Sequence, residues 1–324
     1  MNMVKISQKG IALLIVLWVT AVLTVMVFSF AVMTRAESYG TLAFRETTEK
    51  RLLAEAGIER GIMEIFYWSI NRNQTLTLLG RELWKPDGAP HDVDMGQGGA
   101  VVRITDEAGK ISLNGLTDAS GIVLKNLLIH QGVSSENADI IVDSILDWKD
   151  ADDLHRLNGA ENDYYLSLAK PYKARNAPFE TLEELRLVRG ITPEILYGNG
   201  KTKGILPFLT VYGKADKISL NAAPREVLAA LPGMDADMVE RIMAARSSAE
   251  IGAEGAVQEM AGAAYPLMAP YVSTGQGDAT VFTVEATGYK DNPKKGHAVT
   301  ATLTFDSPQQ YHYVYYKSPV ETTP

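Results

Sequence analysis

The chain has 324 residues, 46% of them hydrophobic, with 31 Lys and Arg against 39 Asp and Glu for a formal net charge of -8. That acidic balance argues against a surface built to neutralise nucleic-acid phosphates, and the absence of cysteine excludes both a disulfide frame and a thiolate metal site. His91, His130, His155, His297 and His312 stand at no recognised metal-ligand spacing.

At the N-terminus a short leader carrying Lys5 and Lys9 ends at Gly10, and Ile11 to Thr34 then runs without a charged side chain. At 1.5 Å per residue such a run makes a helix of about 36 Å, enough to cross the hydrocarbon core of a bilayer. A secretory signal has a shorter apolar core and a small-residue cleavage site after it, whereas here the switch from polar to apolar falls abruptly at Lys9-Gly10-Ile11. An ordinary single-pass anchor is the other reading of this segment. Leu53, Ile58, Ile62, Ile65 and Phe66 continue at helical spacing among Glu, Lys and Arg residues, which predicts one long helix, half in lipid and half on a globular head.

From Asn71 to Gly99 turn-formers dominate, including Lys85-Pro86-Asp87-Gly88-Ala89-Pro90 and Gly96-Gln97-Gly98-Gly99, and the segment reads as loop. Ala100–Thr105 and Lys110–Leu113 alternate around Asp106-Glu107-Ala108-Gly109, which predicts a β-hairpin. Three more strands are expected at Thr280–Gly288, Ala298–Asp306 and Tyr311–Tyr316. The middle is helical and contains an echo: Lys110-Ile111-Ser112-Leu113-Asn114 returns as Lys217-Ile218-Ser219-Leu220-Asn221. Each copy precedes an apolar helical stretch, a Gly turn at Gly132 or Gly233, and a second helix. A shorter candidate of the same kind spans Leu182–Leu196 and turns at Gly190.

The Leu231-Pro232-Gly233-Met234-Asp235 turn has the form of a DNA-binding helical hairpin, but Asp235 and Asp237 would repel phosphate, so the hairpins read as packing modules. Between Asn137 and Asp163 stand eight acidic residues against only Lys149 and Arg156. Dense carboxylates on a loop suit Ca²⁺, which takes six to eight oxygen ligands, although EF-hand spacing is not met because His155 stands where that loop requires Gly. A solvated acidic loop and a catalytic carboxylate pair are the alternatives, the latter without any neighbouring nucleophile. Gly198-Asn199-Gly200-Lys201-Thr202 lacks the first Gly of a P-loop, and Ser167-Leu168-Ala169-Lys170 lacks the companions of an S-x-x-K enzyme. No enzyme is expected.

A basic leader ending in Gly, followed at once by an apolar and then amphipathic helix, resembles the class III signal of type IV pilins and type II secretion pseudopilins. The resemblance implies cleavage by a prepilin peptidase between Gly10 and Ile11, with N-methylation of Ile11. Most such proteins carry Glu at the fifth mature position; Ile15 stands there, and the minor pseudopilin K family shares that departure. Asp147-Trp148-Lys149-Asp150-Ala151-Asp152-Asp153 and Gly159-Ala160-Glu161-Asn162-Asp163-Tyr164-Tyr165 resemble the D-W-x-D-x-D and G-A-E-x-x-Y-Y signature of the same family, whose helical domain binds calcium. By that resemblance Asp147, Asp150, Asp152, Asp153, Glu161 and Asp163 are candidate calcium ligands. With Ser219–Leu228 and the terminal strands it covers nearly the whole chain.

What it implies is an α+β, pilin-like fold: a long N-terminal transmembrane helix on an antiparallel sheet, with an inserted all-helical domain of helix-hairpin-helix (SAM-like) type. The expected divisions are a leader at 1–10, the long helix at 11–70, a head from 71–113 and 205–316 with a helical hairpin at 222–247, the insertion at 114–204, and a tail at 317–324. The implied role is structural: capping the tip of a pseudopilus with minor pseudopilins I and J and supporting its assembly and protein export. The implied location is the bacterial inner membrane with the head in the periplasm, with no nucleic acid and no small-molecule substrate. A minor pilin of a type IV pilus is the alternative, and a membrane-anchored DNA-uptake receptor would need a basic surface this chain lacks.

Overall fold

The computed structural model describes residues 9–71, 83–200, 202–213, 216–274, 280–307 and 310–320. Residues 1–8 of the expected leader, 72–82 of the expected loop and 321–324 of the tail lie outside the described residues. Helix α1 spans Lys9–Asn71 without a break. Its residues 11–47 are almost entirely exposed, and this uncovered part includes a stretch long and apolar enough to cross a membrane. Beyond it Ala54, Ile58, Ile62 and Ile65 are buried, one stripe at the 3.6-residue period. That stripe lies on a five-stranded antiparallel sheet of order β1-β2-β7-β8-β9. Its strands are β1 (Asp87–Asp94), β2 (Gly99–Asp106), β7 (Val281–Tyr289), β8 (His297–Ser307) and β9 (Gln310–Lys317).

Glycines set how closely the helix approaches. A Cβ at Gly61 would lie 2.6 Å from Val284 Cγ1, and one at Gly288 would lie 2.1 Å from the Lys50 carbonyl oxygen and 2.3 Å from Ala54 N. These contacts also fix the direction of α1 against β7. Gly288 faces Lys50 and Ala54, Val284 faces Gly61, and Phe282 meets Trp68 with ring centroids 6.0 Å apart. From Ala54 to Trp68 the helix rises about 21 Å, and from Gly288 to Phe282 the strand covers about 20 Å, so helix and strand run antiparallel in step. The Asp106 and Phe282 ends of β2 and β7, which pair with each other, therefore lie at the end of α1 farthest from its apolar segment.

Everything between β2 and β7 leaves the sheet at that end. The inserted part contains α2 (Gly121–His130), α3 (Ser135–Lys149), α4 (Asn162–Leu166), α5 (Pro193–Tyr197), α6 (Arg225–Ala230), α7 (Ala236–Ser248), α8 (Glu254–Ala261) and α9 (Tyr265–Met268). The repeated pentapeptides begin two matching units. The first forms β3 (Ile111–Ser112), paired in parallel with β4 (Leu209–Thr210); the second forms β5 (Ile218–Ser219), paired in parallel with β6 (Val272–Ser273). In each, the closing Asn brackets a distant backbone. Asn114 Nδ2 donates to the Phe179 carbonyl while its Oδ1 accepts from Phe179 N; Asn221 does the same with Ile251. Gly132 (φ +91°) and Gly233 (φ +79°) turn the two helical hairpins through the left-handed region.

Three expectations change. The predicted hairpin over 100–113 does not form: β2 pairs with β1 and β7, and Glu107–Gly109 is a 3₁₀ turn capped by Asp106 that carries the chain out of the sheet. Part of the predicted loop is strand β1. The boundary drawn at Gly204 divides residues that share one core, since apolar side chains from Ile111 to Val272 form a single buried cluster. Segment 205–272 therefore packs with the inserted helices, while α1 and the sheet keep a separate core.

Candidate metal centre

Ser134 caps α3, its Oγ accepting from Asn137 N, and the helix delivers Asp147 in its last turn with Asp150 just beyond. The chain returns through Gly159 and Ala160 to Glu161, immediately before α4. Gly159 leaves room for the Asp147 carboxylate, since a Cβ there would sit 1.8 Å from Asp147 Oδ2 and push it aside. Beside the cluster in sequence, Trp148 packs edge-on to Tyr165 at 5.1 Å between centroids, and Tyr165 stacks on Tyr172 at 5.3 Å. Asn176 N donates to the Trp148 carbonyl and closes the C-terminal end of α3.

This folding brings one carboxylate oxygen from each of Asp147, Asp150 and Glu161 within 4.8 Å of one another. Ligands at 2.3–2.6 Å from a shared Ca²⁺ are at most about 5 Å apart, so the spacing suits one ion. Asp147 is 0% and Glu161 1% exposed, and neither oxygen of Glu161 has a hydrogen-bond partner; Asp150 Oδ1 is also buried and unpartnered. A buried carboxylate left in that state is costly. Burial, and then the charges of Asp147, Asp150 and Asp153, push the Glu161 carboxyl up to about 7, and burial likewise raises Asp147. The donor set is all oxygen and strongly acidic, which fits a hard divalent cation.

The other three candidate ligands stand outside this cluster with partners of their own. Asp152 Oδ1 accepts from Leu154 N, Asp153 Oδ1 from the side-chain amides of Asn162 and Asn176, and Asp163 pairs with His155 at 2.9 Å. Arg156, counted from sequence only as a residual charge, is the residue the sequence reading missed. Its Nη1 lies 2.8 Å from Asp147 Oδ1 and 2.6 Å from Asp150 Oδ2, and its Nε donates to Asp118 Oδ1 at 2.7 Å.

The sequence pattern of type II secretion system protein K matches residues 109–214, the segment that carries this cluster. Type II secretion system protein K of Pseudomonas aeruginosa is 30% identical over 254 residues, covering 74% of this chain and 73% of the relative. The chain belongs to the type II secretion system protein K family. A putative protein K of Escherichia coli K12 is 27% identical over 200 residues, 58% of this chain and 60% of the relative. A chain from the crystal structure of the GspK-GspI-GspJ complex of enterotoxigenic Escherichia coli shares the fold, with a TM-score of 0.61, 16% identity, and coverage of 86% of this chain and 98% of that one. As a protein K the chain is a minor pseudopilin of a type II secretion system, with the pilin-like arrangement of a long helix on an antiparallel sheet.

Proposed function

We propose that the chain caps the tip of a pseudopilus, in contact with minor pseudopilins I and J, and helps start assembly of the fibre that drives protein export. The observation that carries this reading is that the described residues inserted between β2 and β7 leave the sheet at its end farthest from the apolar part of α1. A bulky unit there obstructs a further head stacked above it and is accommodated at an open end. Ile15 agrees with this: it is exposed on α1 and offers no carboxylate to the N-terminal amine of a neighbour. The relative solved with GspI and GspJ supports those partners. In this reading the exposed apolar helix spans the inner membrane, the head lies in the periplasm, and the role is structural rather than enzymatic.

Assembly by a pilin pathway requires processing. A prepilin peptidase is expected to cut between Gly10 and Ile11 and to leave Ile11 N-methylated; mass spectrometry of the membrane-extracted chain reads this directly. Replacing Gly10 with a bulky residue should leave the leader attached, whereas a mature terminus after Ala31 or Ala36 would indicate ordinary signal cleavage. For a tip subunit, Ile15→Glu should leave secretion unchanged or reduce it. Improved secretion would argue for a place within the shaft.

Calcium is part of the same proposal. Asp147, Asp150 and Glu161 would hold it, and the ion would supply the positive charge that the Glu161 carboxylate lacks. By joining the end of α3 to the start of α4 it would fix the loop between them.

A further inference from the structure

The three clustered carboxylates already have one cation among them. Arg156 takes a single oxygen of each aspartate through Nη1, and its own backbone N–H points between the two oxygens of Asp147 at 3.3 Å from each. Its Nε holds the exposed Asp118. The atoms left without a partner are Asp150 Oδ1 and both oxygens of Glu161. One guanidinium thus satisfies two of the three carboxylates and leaves the third bare. The other basic side chains nearby are committed elsewhere: Lys149 Nζ donates to the Asn114 and Leu116 carbonyls, Arg189 Nη1 donates to the Gly159 carbonyl, and the His155 ring is hydrogen-bonded to Asp163.

A divalent ion binding these carboxylates would share Asp147 and Asp150 with a positive group a few ångströms away. At such separations, with the screening typical of a protein site, repulsion between the two cations well exceeds thermal energy. While the site holds no ion, the same guanidinium offsets the mutual repulsion of the carboxylates.

We infer that Arg156 is a resident counter-cation of the Asp147, Asp150 and Glu161 cluster, supporting the fold before an ion arrives and lowering the affinity for the ion that follows. This rests on the calcium reading above. It makes Arg156 a residue that sets ion affinity without being a ligand, and it leaves the newly made head less dependent on calcium than its acidic loop suggests.

The test uses the full chain in detergent micelles. Tb³⁺ is titrated with its luminescence excited through Trp148, next to Asp147 in the chain, and calcium affinity follows from competition. Arg156→Gln is expected to melt at a lower temperature than wild type in chelator, yet to bind calcium about tenfold or more tightly. Arg156→Lys keeps the charge while losing the fork, and its affinity should stay near wild type. A role in packing alone would not separate Gln from Lys in this way. Unchanged or weaker calcium binding by Arg156→Gln overturns the inference while the calcium site stands, and so does a Gln variant that calcium fails to restore to a folded state. A wild-type chain that binds neither Tb³⁺ nor calcium overturns the calcium reading itself, and this inference with it.

Discussion

Removing calcium from the folded chain is expected to lower its melting temperature by about 5–10 °C at pH 8. An ion present at a hundredfold excess over its dissociation constant stabilises the state that binds it by about 2.7 kcal/mol, and a domain of this size shifts by about 2–4 °C per kcal/mol. The size of the shift should depend on pH with a definite sign. Glu161 titrates near 7 in the ion-free fold, above its ordinary value. Its contribution to ion-free stability is therefore full below about pH 4.5 and is lost as pH rises through about 7. Asp147, raised by burial, acts in the same direction. Calcium needs the deprotonated carboxylate, so the difference between calcium and chelator should be larger at pH 8 than at pH 5. Glu161→Gln should abolish the calcium shift while matching or exceeding wild-type stability in chelator at pH 8, because it removes the unpartnered charge. Tryptophan-fluorescence melts read all four conditions, and equal melting temperatures in chelator and millimolar calcium would remove the site from the account.

The second large effect is expected at Gly288. An alanine there places a methyl group 2.1 Å from the Lys50 carbonyl oxygen and 2.3 Å from Ala54 N, both main-chain atoms that no side-chain rotation relieves. Helix α1 must lift from the sheet, and with it the packing of Ala54 and Ile58 is loosened. A loss of about 3 kcal/mol is expected, at the upper end for an overpacked core. Gly255→Ala, in α8 with nothing within 4 Å of the added carbon, should be neutral or slightly stabilising by helix propensity. Similar stabilities for the two variants in denaturant titrations would contradict the close contact between α1 and β7.

Long periodic elements were legible in the sequence. The stripe through Ile58, Ile62 and Ile65 predicted the buried face of α1, and the alternating runs near the C-terminus correspond to β7, β8 and β9. Strand β1 was hidden because Asp87-Gly88-Ala89-Pro90 has the composition of a turn. It forms at the edge of the sheet with an irregularity between Asp87 and Pro90, where a proline without a donor is tolerated. The hairpin expected over 100–113 failed for a different reason. Glu107 is buried, paired with Lys110 and accepting from Thr283 Oγ1, so residues that resemble a solvated turn anchor the exit from the sheet. At the site, the signature placed the acidic segment, yet the selection of Asp147, Asp150 and Glu161 depends on the end of α3 meeting the start of α4. Spacing alone does not reveal that meeting. Arg156 was obscured by its neighbours, since one of two cations among eight acidic residues reads as leftover charge until its three carboxylate partners are seen.

A tip subunit whose inserted unit caps the fibre has one expected position on isolated pseudopili. Filaments assembled with the major pseudopilin in the presence of this chain, tagged after Val320 and labelled with gold, should carry label at one end only, at about one site per filament. Label repeated along the shaft would rule out a cap and make the chain a minor component of the fibre body.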